Sequence, residues 1–159
     1  MSSFTVVNAL IAGVVGTIAM DVFAAVGISL HVFRMPAFGR WFLHGLKGKF
    51  RHDDIDKSPA VRGENALTLP LHYLAGVVLA GFYLLLLDWL ALGRGNFLMA
   101  AGYGLATAAI PLFIMLPSMG YGLLGIGRDR STFWLRQILA FHLAYGVGIG
   151  IAMILFVSP

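Results

Sequence analysis

Three ionisable side chains stand inside stretches that are otherwise oil-like. They are Asp21 in VVGTIAMDVFAA, His72 in LPLHYLAGVVLAG and His142 in LAFHLAYGVGIGIAMILF. A carboxylate and two imidazoles exchange protons near neutral pH or hold a small polar ligand, and in a membrane span they mark such sites by default. Thr17, Tyr73 and Tyr145 lie near them in sequence and add hydroxyls to the set. The same three groups are also a ligand set suited to iron, and two facing histidines suit haem, so Asp21, His72 and His142 are candidate metal ligands. A third reading is plain structural glue: hydrogen bonds between helices, each contributing about 1 kcal/mol or less in a membrane.

The elements that must position these groups follow from composition. Of 159 residues, 59% are hydrophobic and 11% charged, more apolar surface than a water-soluble domain of this size hides. A bilayer core of about 30 Å needs about 20 consecutive apolar residues as a helix. Four runs qualify: Phe4 to Leu30, Leu67 to Leu92, Phe97 to Leu124 and Phe133 to Val157. Membrane-spanning strands alternate apolar and polar residues, whereas these runs are apolar on all sides. The expected fold is all-α, an integral membrane four-helix bundle forming one domain over residues 1–159, with a connecting loop over 31–66. The first run lacks basic residues before it and is interrupted by Asp21, so it reads as a retained helix rather than a signal peptide.

Charge sets the orientation. Arg34, Arg40, Lys47, Lys49, Arg51, Lys57 and Arg62 fall in the first connection and Arg128, Arg130 and Arg136 at the third, against only Arg94 in the second. Positive residues stay in the cytoplasm, which leaves both chain ends outside. A net charge of +4 confined to loops is not a nucleic-acid signal; the expected partners are the lipid bilayer and a second copy or larger membrane complex. The absence of cysteine excludes disulfides and thiolate sites.

Within the first connection, Phe38, Trp41, Phe42, Leu46 and Phe50 recur near helical spacing with basic residues between them, which predicts a short helix lying in the inner interface. DDIDKSPAVRGEN then reads as a solvated, turn-forming segment; Asp53, Asp54 and Asp56 lack the glycine and closing glutamate of a calcium loop. Glu64 sits at the start of the second helix, near the positive end of its dipole, and joins the candidate polar residues. GYGLLG, with Gly120, Gly122 and Gly125, spells a dinucleotide fingerprint but closes a membrane helix, where it has no strand to follow.

Counting about 1.5 Å of rise per residue puts Asp21, His72 and His142 in the inner half of the membrane. Steps of four outward from each give Thr17, Gly13 and Ala9; Gly76 and Ala80; and Gly146 and Gly150. Such small-residue stripes let helices approach closely, so the three polar groups are expected to face one axis and share a pocket.

The blocks GTIAMDVFA, GRWFLH, KGKFRHDDIDKSPAVRGENAL, LHYLAG, MLPSMGYG and FHLAYGVGIG, in this order, resemble a bacterial inner-membrane family catalogued as domain of unknown function 2938. The resemblance implies a small integral protein of the bacterial inner membrane without an established activity. It also implies that Asp21, Trp41, His44, Glu64, His72, Pro117, Met119 and Gly120 match the family's recurring positions. The departure is at His142 and Tyr145, where the family often carries other residues around the histidine. Three functions remain open: an inner-half polar pocket for proton exchange or small-ligand binding or transport, a metal or haem protein, and an interaction subunit without site chemistry. The charge asymmetry makes one test direct. A reporter active only in the periplasm should be active when fused after Pro159 and silent when inserted near Ser58; the reverse pattern would overturn every depth given above.

Overall fold

The computed structural model describes residues 6–93, 96–127 and 131–157; the expected start of the first run at Phe4, and Arg94, Arg128, Arg130 and Pro159, lie outside them. The described residues form α1 (Val6–Ser29), α2 (Phe38–Leu46), α3 (Glu64–Trp89), α4 (Phe97–Thr107), α5 (Leu116–Met119) and α6 (Phe133–Leu155), with no strand among them. Four segments are long and apolar enough to cross a membrane: α1, α3, Phe97–Met119 and α6. The all-helical, four-span reading holds.

Small residues decide which helices touch. A side chain on Gly13 of α1 would run into the α3 backbone at Gly76 and Val77, and one on Gly16 into Tyr145 of α6. Gly104 of α4 and Gly146 of α6 press on each other in the same way. Accordingly α1 packs between α3 and α6, and α6 packs between α1 and α4. The backbones of α3 and α4 barely meet. Aromatic rings cross that wider seam, Tyr83 and Tyr103 lying 4.9 Å apart between centroids.

Several boundaries differ from the sequence expectation by one to a few residues, and three of the differences have a local reason. The second span starts at Glu64 rather than Leu67 because the Glu64 carboxylate accepts the Val61 N–H at 2.7 Å and fixes the first turn. In the third span the regular helix ends at Thr107; Pro111 offers no N–H, and the chain continues through a π turn, Pro111–Met115, into α5. It then stops at Gly120, whose φ of +91° suits glycine and whose missing side chain admits the Asp53 carbonyl. Finally, α2 ends at Leu46 before the left-handed Gly48, so Phe50 lies beyond the helix and is exposed with Leu46.

The stretch expected to be solvated is instead a folded cap. Ile55 is fully buried, the His52 and Ile55 amides donate to the Ser118 and Met119 carbonyls at 2.8 and 2.9 Å, and Tyr121 donates its hydroxyl to Asp56. Burial and the Asp56 carboxylate hold that phenol protonated well above its ordinary range. Arg40 joins the parts. Its guanidinium makes a two-point pair with Glu64, at 2.9 and 2.6 Å, and donates to the carbonyls of Ile55, Asp56 and Ser58. Gly39 brings α2 against the Glu64 carbonyl and Thr68.

Close approach at Gly13 makes a measurable demand. Gly13→Val should separate α1 from α3 and lower stability by about 1–3 kcal/mol, seen as a lower melting temperature in detergent. Gly102→Ala, where nothing lies within contact of an added carbon, should leave the melting temperature unchanged or raise it. Equal effects would refute the packing account.

Candidate functional site

Asp21 and His72 meet. Asp21 stands eight residues from the end of α1 at Ser29, and His72 eight residues from the start of α3 at Glu64, so both lie about 12 Å along their helices from the cap. Because Gly13 and Gly76 hold the backbones together, Asp21 Oδ1 and His72 Nε2 come to 3.1 Å, each side chain 31% exposed. Tyr73 reaches the same carboxylate with its hydroxyl and sets its ring edge-on to the His72 imidazole, 6.3 Å between centroids.

His142 takes another partner. Its stripe, with Gly146 and Gly150, faces α4 rather than α1. Its Nδ1 lies 2.9 Å from Thr107 Oγ1, and that hydroxyl lies 2.6 Å from the Gly104 carbonyl. A carbonyl only accepts, so the threonine proton goes to Gly104, the His142 Nδ1–H donates to Thr107, and Nε2 keeps its lone pair in the neutral ring. His72 and His142 still lie within electrostatic reach of each other across the bundle. Tyr145, one turn beyond His142, donates its hydroxyl to the Gly76 carbonyl at 2.5 Å. Thr17 donates to Gly13 in its own helix at 2.8 Å and abuts Gly76 from the other side.

The expectation of one axis is thus corrected in part: the stripes build two interfaces, α1 with α3 and α4 with α6, and the polar groups divide between them. No group of three metal-binding side chains converges among the described residues, which include all three candidates, so Asp21, His72 and His142 do not form one coordination site. Glu64 belongs to the Arg40 pair at the cap, two turns from His72. Depressions lined by Leu92, Gly93, Asn96, Phe97, Leu98 and Met99 and by residues 60–66 lie at helix connections and hold none of Asp21, His72 or His142.

Sequence reasoning passed over Thr107, although Ala100 and Gly104 on α4, continued by Ala108 just past its end, form the same small-residue stripe that was read on the other helices. It also passed over the pair His44 and His52, which face each other in the cap, nine and eight per cent exposed. His44 Nε2 donates to the Pro59 carbonyl at 3.1 Å, so its Nδ1 accepts from His52 Nε2 at 3.0 Å. Among the described residues, His52 Nδ1 is left buried without a hydrogen-bond partner.

Fold and site together define a multi-pass α-helical membrane protein carrying a carboxylate–imidazole pair within its spans. The chain belongs to the family described as "Protein of unknown function (DUF2938)", which matches residues 10–156. No curated protein and no solved structure matches it.

The cap histidines give a pH test. Burial, and then the neighbouring His44 and Lys49, lower the His52 pKa below its ordinary 6.5. The undocked cap therefore binds more protons below that pH, and the docking contribution, complete above about 6.5, is lost as pH falls through the lowered value. Amide exchange at His52 and Ile55, corrected for intrinsic rates, should speed up on acidification below about pH 6.5. His52→Phe should abolish that dependence, and an unchanged pH profile in this variant would refute the assignment.

Proposed function

We propose that this is a small protein of the bacterial inner membrane, with both ends periplasmic, whose Asp21–His72 pair exchanges a proton or holds a small polar ligand reached from the cytoplasmic side. The observation that carries this reading is the 3.1 Å contact between a carboxylate and an imidazole that are both partly open. A pair serving only to join α1 and α3 would gain from complete enclosure, because an ionised group facing hydrocarbon costs several kcal/mol. Its open side therefore suits access by water or a polar solute. Tyr73 on the same carboxylate and His142 across the bundle give that solute further donors and acceptors. The family resemblance and the basic residues of the first connection support the membrane and the orientation.

Asp21→Asn tests the reading, since the amide keeps shape and hydrogen bonding while removing the exchangeable proton. In reconstituted protein, pH-difference infrared spectra should show a carboxyl band between about pH 3 and 10 that is missing in Asp21→Asn, with the helical signature intact. If stepping the pH reveals no band that depends on Asp21, the pair is structural glue and the proposal fails.

A further inference from the structure

We propose that the solute handled at this site is the proton, passed along a track of tyrosine hydroxyls that leads from His72 and His142 toward the uncapped end of the bundle. The inference rests on the proton-exchange reading of Asp21 and His72 and names its substrate.

The track follows one face of α3. His72, Gly76, Leu79 and Tyr83 are spaced four, three and four residues apart, which keeps them on one side of the helix. A hydroxyl stands at each turn above His72, and each comes from a different helix. Tyr145 of α6 donates to the Gly76 carbonyl at 2.5 Å, and Tyr103 of α4 donates to the Leu79 carbonyl at 2.7 Å. The Tyr83 ring then packs on Tyr103, 4.9 Å between centroids. From His72 to Tyr83 the helix rises about 16 Å, roughly half the hydrocarbon core.

Two observations turn this row into a path rather than a packing device. The first is the Tyr83 hydroxyl, which is buried with no partner among the described residues while its ring is fully enclosed. Leaving such a group unsatisfied costs about 1–3 kcal/mol, and phenylalanine would fill the same seam without that penalty. A hydroxyl at this point is explained if it receives and passes on a hydrogen bond from water entering the track. The second is the tightness of the surroundings. Tyr83, Tyr145, Gly76 and Ala80 are all buried, and a core packed to interior density leaves no passage for an ion or an organic solute. The tyrosine protons rest on backbone carbonyls, so a proton advances when each hydroxyl turns, accepts a proton from a single water on one side and gives up its own to a single water on the next, regenerating the neutral phenol.

The experiment uses the full-length protein in liposomes containing a pH-sensitive dye, with proton entry driven by a potassium diffusion potential. Wild-type protein should carry a proton flux above that of protein-free liposomes. Tyr83→Phe keeps the ring and removes only the orphan hydroxyl, so it should melt no lower than wild type and yet reduce the flux about tenfold, the equivalent of one lost hydrogen bond. The Asp21 infrared band should be unchanged in it. Tyr103→Phe should reduce the flux as well. Flux in both variants equal to wild type, or no wild-type flux while the Asp21 band still titrates, would overturn the track and leave the Asp21–His72 reading standing. Absence of both the flux and the titrating band would overturn both.

Discussion

Backbone contact between α1 and α3 at Gly13 and Gly76 is the constraint on which the rest of the bundle depends. Lipid removes the hydrophobic gain that drives helices together in water, so association rests on close van der Waals contact and on interhelical hydrogen bonds. Glycine at both positions provides the first, and it also brings Asp21, two turns along α1, within side-chain reach of His72, one turn along α3. The pair meets because the backbones do. Gly16 and Gly148 repeat the device between α1 and α6, and the room at Gly16 is taken by the Tyr145 ring whose hydroxyl returns to Gly76.

Where the backbones stay apart, polar side chains span the distance. The seam between α3 and α4 is crossed by Tyr103 to the Leu79 carbonyl, and the cap is gathered by Arg40, whose fork meets one carboxylate and three carbonyls. Both arrangements use long, planar groups that retain full hydrogen bonding at their ends. The helix interior is thus rigid near the glycines, while its wide side and its cap are held by directional bonds. The Asp21–His72 pair lies between α1 and α3, on the close-packed side.

The hydropathy of the sequence announced the four spans because a membrane helix leaves no choice of period or solvent. Every stripe residue named from spacing, Ala9, Gly13, Thr17, Gly76, Ala80, Gly146 and Gly150, is buried. Which helix each stripe meets was not legible: α6 presents small residues toward both α1 and α4, and spacing alone does not rank two neighbours. Spacing therefore groups His142 with Asp21 and His72, whereas its hydrogen-bond partner is Thr107. The cap was illegible for a different reason. Most of its bonds end on backbone carbonyls of Ile55, Asp56, Ser58, Ser118 and Met119, which carry no residue-type signature, and its one fully buried apolar anchor, Ile55, is hidden among aspartates.

The cap also imposes an order on biogenesis. Arg40 and Glu64 are separated by 24 residues, so their pair closes a short loop as soon as the start of α3 has left the ribosome. Contacts from Asp56 to Tyr121 span 65 residues and wait until α4 and α5 have been inserted. Chains emerge N-terminus first, at about 5–20 residues per second, which places seconds between the two events. During that interval the Arg40–Glu64 pair ties α2 to the foot of α3 while the residues of α6 are still to be made. A charged loop that has already folded resists being drawn through hydrocarbon, so the side it occupies when the pair closes is the side it keeps.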